Sequence, residues 1–361
     1  MNHLEQQLHY PLGETVPAPG EALEVAPGIR WARMGLPFAL DHVNLFLLRD
    51  TFEGREGWTV VDCCIDAPAS REQWERIIAT GLDGLPVVRV LVTHMHPDHI
   101  GLAHWLCARF DAPLWISATD YYAARAAMQN AAGSGGHPAA DFFASHGLRD
   151  EAALAKIRQR TRYYLDMVPA VPPAYRRLMD GRAVRIGGRD WRCIAGYGHA
   201  PEHIALYSAD FPEDVHGGAG VLLGGDMALP RISTNVSVFD VEPESDALTL
   251  FLQSIDRFLE LPEGCYTLPA HGKPFTGLHI RVGQLHDHHR DRLAEVLSAC
   301  AAGPRSAADI LPVLFRRALD AHQTTFAMGE ALAHLHALWH GGQLRRARDE
   351  DGIWRFRLAG G

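Results

Sequence analysis

Thr93-His-Met-His-Pro-Asp-His-Ile-Gly101 decides how the rest of this chain is read. His94, His96, Asp98 and His99 lie within six residues, directly after 87–93 (VVRVLVT), an apolar run of the kind that forms a buried strand. From the chain's own His and Asp frequencies, H-x-H-x-D-H is expected about 0.005 times by chance. At i and i+2 of a strand end, His94 and His96 share one face. Asp98 and His99 come from the following turn and can aim at a second centre a few ångströms away. One short loop can therefore serve two metal ions.

Two ions need more ligands than one loop supplies. Working outward, three candidates follow, each just after a predicted strand. They are His199 in Gly198-His-Ala-Pro-Glu-His203, Asp226 in Gly224-Gly-Asp-Met227 and His271 in Pro269-Ala-His-Gly272. A glycine beside each lets the backbone turn tightly. Imidazole and carboxylate without thiolate suit zinc, manganese or iron, and argue against a Cys-rich structural zinc site.

This set of motifs resembles the metallo-β-lactamase superfamily, and most of all its glyoxalase II-type hydrolases, over about residues 25–278. The resemblance implies an α+β fold, a four-layer αββα sandwich with a dinuclear site at one edge of its two sheets. It implies His94, His96 and His199 on one metal, Asp98, His99 and His271 on the other, and Asp226 bridging both. True β-lactamases commonly carry Cys where Asp226 stands. The family's GHTPGH is here Gly198-His-Ala-Pro-Glu-His203, which keeps His199 and leaves His203 as a supporting neighbour. The family's early Asp-Thr-Gly is here Asp62-Cys-Cys64. Asp62 is assigned to orienting a ligand imidazole, because a metal-bound His usually donates its other N–H to a carboxylate or carbonyl.

The resemblance further implies two divalent ions, zinc in the first place with iron or manganese as alternatives, and a bridging hydroxide as nucleophile. A single bound zinc already lowers the pKa of water to about 7. Asp98 is the expected catalytic residue, holding the second ion and orienting the hydroxide. A leaving thiolate, with a parent pKa of about 8.5, departs without a strong general acid. That points to a thioester or related activated acyl substrate, of the hydroxyacylglutathione or acyl-CoA kind. A metal-dependent endoribonuclease and a lactonase are the alternatives.

The organisation expected is a lead-in at 1–20, the hydrolase domain at 21–278 and a further domain at 279–361. Strands are predicted at 28–34, 42–48 and 58–65, and a helix at 70–80. Residues 118–180 read as a helical insertion capping the site. Its Tyr121, Tyr122, Phe142, Phe143, Tyr163 and Tyr164 have the helical spacing of packing residues more than of a pocket lining. Helices at 286–300, 307–315 and 325–339, then a hairpin at 344–358, form a winged-helix pattern. This is similar to the superfamily subgroup that includes the β-lactamase-like-2 proteins, some reported as endoribonucleases. Over 280–361 there are 11 Arg against nine acidic residues, a weak basis for binding nucleic acid, which is not the favoured partner.

The composition agrees. The chain has 361 residues, 47% hydrophobic and 21% charged, which excludes wholesale disorder. A net charge of −9 gives no basic field for a nucleic-acid coat. Six Cys form no CxxC pair and read as reduced thiols, with Cys63 and Cys64 as small buried apolar residues. The start has no signal-peptide pattern, and there is no apolar run of about 18 residues. The expectation is a cytoplasmic enzyme with a small-molecule acyl substrate and no membrane partner, homo-oligomerisation being left open.

Overall fold

Seven strands make the first sheet: β1 (Ala22–Ala26), β2 (Ile29–Gly35), β3 (His42–Phe52), β4 (Arg55–Val61), β5 (Val87–Leu91), β6 (Leu114–Ser117) and β7 (Arg176–Leu178). They lie side by side in that order in the computed structural model, which describes residues 4–129, 135–212, 215–216 and 218–360. β1 to β4 pair antiparallel, and β5, β6 and β7 add on in parallel. Every residue of β5 is buried. A parallel strand covered on both faces is a near-continuous apolar run, and its one charged residue here, Arg89, donates to Asp50 (2.9 Å). Parallel pairing also requires crossovers. α1 (Pro68–Arg76) links β4 to β5, and α2 (Pro97–Ile100) with α3 (Ala103–Phe110) links β5 to β6.

The second sheet has the order β12-β11-β10-β9-β8, from β8 (Ala183–Ile186), β9 (Arg189–Gly196), β10 (His203–Ser208), β11 (Val221–Gly225) and β12 (Tyr266–Pro269). β9, β11 and β12 run the same way, since β10 is antiparallel to both neighbours and β12 is parallel to β11. The inner faces of the two sheets share one core, with Trp31, Phe46, Val61 and Leu91 from the first and Trp191, Ile204, Leu223 and Leu268 from the second. That is sheet-on-sheet packing. It brings the C-terminal ends of β4 and β5 together with those of β9, β11 and β12, and these five ends carry every expected site loop.

Two compact units emerge, and neither is continuous in sequence as the boundary at 278/279 would have it. The first comprises Met1–Met128, Tyr164–Thr234 and Ser254–Val282; it holds both sheets and α4 (Ala118–Met128). The second comprises Gln129–Tyr163, Asn235–Gln253 and Gly283–Gly361. α5 (Gly136–Ser145) and α6 (Glu151–Gln159) belong to the second unit. α7 (Tyr163–Met167) and α8 (Ala247–Asp256) straddle unit boundaries, as does α9 (Leu278–Ala301). Within the second unit the Ala308 N–H donates to the His146 carbonyl. The helices α10 (Ala307–Leu314) and α11 (Ala321–His340) each begin with a side-chain capping box, Ser306 with Asp309 and Asp320 with Gln323. The hairpin β13 (Leu344–Arg348) and β14 (Trp354–Leu358) closes the chain.

The structure alters several local expectations. The helix read at 70–80 ends as α at Arg76 and continues as a π-turn over Ile77–Gly81, where the Thr80 hydroxyl donates to the Arg76 carbonyl (3.0 Å). The span 118–180, read as a helical insertion, also contains β7, a three-residue edge strand too short for periodicity to show. Its aromatics mostly pack: Phe143 is buried, and Tyr121 stacks on Tyr175 at 4.0 Å and donates to the Pro172 carbonyl. Tyr122 alone of the six is strongly exposed, at 63%. Among the described residues no helix is long and apolar enough to cross a membrane.

Candidate metal centre

The residues singled out in the sequence converge. His94, His96, Asp98 and His99 leave β5, Asp62 leaves β4, His199 follows β9, His203 opens β10, and Asp226 and His271 follow β11 and β12. Three groups of donors form, His94/His96/His199, His94/His99/Asp226 and Asp98/His99/His271, with the ligand atoms of each within 4.8 Å of one another. His94 Nε2 lies 2.9 Å from His96 Nδ1 and 3.2 Å from His199 Nε2. Asp226 faces both ends of the cluster. Its Oδ2 is 3.2 Å from His199 Nε2, and its Oδ1 is 3.5 Å from His99 Nε2 and 3.4 Å from His271 Nε2. Asp98 Oδ2 stands 3.4 Å from His271 Nε2 and 3.5 Å from His99 Nε2.

Each inner ring is held from behind. Asp62 Oδ2 pairs with His99 Nδ1 at 2.8 Å, while Oδ1 accepts the Thr93 backbone N–H at 2.8 Å. The Thr93 hydroxyl donates to Asp62 and meets His94 Nδ1 at 3.0 Å, so one carboxylate orients two imidazoles. Asp62 does this from a left-handed backbone, φ +64°. His271 Nδ1 donates to the His42 carbonyl (2.6 Å). The Asp226 N–H donates to His203 Nε2 (3.2 Å), which fixes His203 as a neutral acceptor at that nitrogen. Gly225 makes the contact possible: at φ +51°, a Cβ there would lie 2.1 Å from His203 Nε2.

Burial, reinforced by neighbouring rings, pushes His94 well below the ordinary histidine range, and burial brings His96 to about 3. Both therefore offer neutral lone pairs, the form that ligates. Burial opposes ionisation of Asp98, but the His99 and His271 rings hold it down at about 2. Burial likewise opposes a charge on His99, yet the carboxylates of Asp98, Asp62 and Asp226 raise it to about 9. The site thus favours concentrated positive charge, as a divalent cation supplies. His99 Nε2, His271 Nε2 and Asp226 Oδ1 are buried with no hydrogen-bond partner. Buried polar atoms rarely stay unpaired, and three such atoms aimed at one point fit metal ions.

Several supporting residues escaped the sequence reading. Asp120, fully buried in the first turn of α4, accepts the Met95 N–H on Oδ1 (2.7 Å) and the Glu202 N–H on Oδ2 (2.6 Å). Tyr164 donates to the Met95 carbonyl (2.6 Å). Asn44 of β3 donates to the Pro269 and Gly272 carbonyls, and the His42 ring accepts the Gly272 N–H, so β3 grips the His271 loop. A signal existed for the first: Ser117-Ala-Thr-Asp120 has capping-box spacing. Another lay in His42 and Asn44, polar residues at the start of a strand whose next residues, Leu45 to Leu48, are all apolar.

An imidazole–carboxylate cluster with a shared aspartate, set where strand ends of two packed sheets meet, defines a metal-dependent hydrolase. The chain belongs to the metallo-beta-lactamase superfamily, which residues 39–293 match; residues 293–359 match a metallo-beta-lactamase-like C-terminal domain. It is similar to a beta-lactamase domain protein from Burkholderia ambifaria, with 54% identity over 99% of this chain and 100% of that one and a TM-score of 0.92. It is also similar to the metallo-beta-lactamase family protein TTHA1429 from Thermus thermophilus, with 28% identity over 93% of this chain and 100% of that one and a TM-score of 0.72. The probable metallo-hydrolase YqjP of Bacillus subtilis (strain 168) is 23% identical, over 85% of this chain and 90% of its own length.

Proposed function

We propose that this metallo-hydrolase uses two divalent ions, zinc in the first place, to hydrolyse a thioester or related activated acyl compound. The observation that carries the reading is the reach of Asp226, whose two oxygens face His199 on one side and His99 with His271 on the other. Bound ions would supply Lewis acidity and water acidic enough to ionise near neutral pH. His94, His96 and His199 would hold one ion, and Asp98, His99 and His271 the other, with Asp226 between them. Asp98 is more open than Asp226, 19% against 10% of the side chain, and is the carboxylate placed to orient the attacking water.

The leaving group follows from how the remaining acids are used. His203 Nε2 is occupied by the Asp226 N–H, and burial keeps the ring well below its ordinary range. Glu202 accepts from the Thr119 hydroxyl (2.8 Å). Neither is set to deliver a proton at the cluster, which favours a thiolate, able to leave unprotonated. The C-terminal helices and hairpin suit a winged-helix-like module, but two arginines of its hairpin are engaged. Arg346 pairs with Glu244 and lies over Trp339 and Trp354, and Arg355 pairs with Asp349 and Asp309. That supports a small-molecule substrate over RNA. The six cysteines are free thiols, which supports a reducing, cytoplasmic setting.

The test is a panel of acyl-CoA, acyl-glutathione, lactone and single-stranded RNA with zinc-, iron- or manganese-loaded protein. Thioester turnover that falls to background in His94→Ala is expected. Cleavage of RNA, or lactone opening without thioester turnover, overturns the proposal.

A further inference from the structure

Three ligands of one prospective ion, His94, His96 and His199, sit on two loops separated by about a hundred residues of chain. The first loop is held within itself just past His96, whose carbonyl accepts the His99 and Ile100 N–H groups (3.0 and 3.1 Å), and a further tie joins it to the second. Met95 lies between His94 and His96, and Glu202 lies between His199 and His203. The N–H groups of both residues end on the same carboxylate, that of Asp120, at 2.7 and 2.6 Å. The opposite face of Met95 is held as well, since its carbonyl accepts the Tyr164 hydroxyl at 2.6 Å. Asp120 is itself anchored by Ser117, whose hydroxyl accepts the Asp120 N–H (3.1 Å) and donates to Oδ2 (3.3 Å). Thr119, one residue earlier on α4, donates to the Glu202 carboxylate at 2.8 Å.

We propose that Asp120, with Tyr164, is a positioning residue that sets the spacing of the His94/His96/His199 ion site, and not that of the Asp98/His99/His271 site. A carboxylate shared by two backbone N–H groups fixes the distance between the two loops as a metal would, but from behind the ligands. The second site hangs on different supports: Asp62 behind His99, and the His42 carbonyl with Asn44 behind the His271 loop. Coupling through Asp120 is therefore confined to one end of the centre. The simpler account is that Asp120 merely caps α4. A cap needs only the exchange with Ser117, whereas both carboxylate oxygens reach across to other chain segments.

The inference rests on the two-ion reading of the centre, and the experiment separates the two. Stepwise metal affinities are measured on full-length protein by competition with a chromophoric chelator, together with the visible spectrum of the cobalt-substituted form. His96→Ala and His271→Ala, each lacking a ligand of one site, assign the two steps. In Asp120→Asn one oxygen becomes an NH2 that faces a backbone N–H. The His94/His96/His199 step is expected to weaken by about 10–100-fold, the usual effect of losing a residue that orients ligands, while the other step holds within about threefold. Tyr164→Phe, which leaves α4 untouched, is expected to weaken the same step by a smaller factor. Ser117→Ala removes the cap but neither loop contact, and is expected to lower thermal stability with both affinities kept.

Equal affinities in Asp120→Asn and wild type overturn the clamp. So does an equal loss at both sites, or a Ser117→Ala protein that loses metal as Asp120→Asn does. Should Asp120→Asn fail to fold, an unchanged first step in Tyr164→Phe overturns it. A wild type that takes up fewer than two ions overturns the reading of the centre itself.

Discussion

Asp62→Asn is the substitution whose outcome the geometry constrains most. The asparagine is isosteric and tolerates the left-handed backbone at φ +64°, so the turn after β4 need not move. Asp62 has two buried duties: Oδ1 accepts the Thr93 N–H at 2.8 Å, and Oδ2 takes the His99 Nδ1 proton at 2.8 Å. An amide cannot do both. With its oxygen on Thr93, its NH2 faces His99 Nδ1, which must then carry a lone pair, and the ring proton moves to Nε2. That is the nitrogen that faces Asp98 and Asp226 and must be bare to ligate. With the amide flipped, His99 is served, but two N–H groups oppose each other at Thr93, and a buried unsatisfied donor costs about 1–3 kcal/mol. Either route agrees with the loss of about 10–100-fold in metal affinity, about 1.4–2.8 kcal/mol, typical of residues that orient a ligand. The loss falls chiefly on the Asp98/His99/His271 step, because the Thr93 hydroxyl, which lies within reach of both Asp62 oxygens, can still donate to the amide oxygen and keep its contact with His94 Nδ1. A competition titration of the two binding steps reads it. Retention of both steps at wild-type affinity, or equal weakening of the two, would refute the assignment of Asp62 to His99.

Asp50→Ala strands Arg89, which is 2% exposed and donates through Nε to Asp50 at 2.9 Å. Urea unfolding is expected to show a loss of about 3–5 kcal/mol with metal content unchanged; a loss below about 1 kcal/mol would contradict the buried pairing. Removing ions with a chelator leaves the partnerless atoms of His99, His271 and Asp226 buried together. Calorimetry should then find a lower Tm, recovered by free metal at a hundred times its Kd with about 2.7 kcal/mol of added stability. An identical Tm with and without metal would count against the donor cluster as a binding site.

Much of the fold was legible because burial imposes period and run length on the sequence. β5 reads as a buried parallel strand from Val87 to Leu91, and β10 as a buried strand from Ile204, since neither face of these strands meets water. The short edge strands were not legible as such. β7 is Arg-Arg-Leu, three residues with two exposed arginines, and its place is set by the neighbouring β6 and not by its own pattern. The division of the chain was equally hidden. The residues Gln129–Tyr163 cluster with Gly283–Gly361, more than a hundred positions away, and no composition shift marks which body a helical stretch will join.

The ligands and their supports differ in legibility for a physical reason. A metal ligand must be one of a few side chains, and two ions served by one loop force those side chains into adjacent positions, which is why residues 94–99 stand out. A support can be any donor or acceptor that reaches the right atom, and it commonly reaches the backbone, which carries no sequence signature. His42 acts through its carbonyl, Asp120 through the peptide N–H of Met95 and of Glu202, and Tyr164 through the Met95 carbonyl. Among these supports only Asp62 reaches a ligand ring with its side chain, and it kept a recognisable place after its strand, whereas His42 reaches the His271 ring through its carbonyl. The relation between the two classes also sets how change should be tolerated. Replacing a ligand removes a bond to the ion, whereas replacing a support shifts two or three ligands together by fractions of an ångström. Variants at Asp120 or Tyr164 should therefore alter which metal is preferred before they abolish binding, because a wider His94/His96/His199 triangle admits longer metal–nitrogen bonds while the Asp98/His99/His271 group keeps its own spacing.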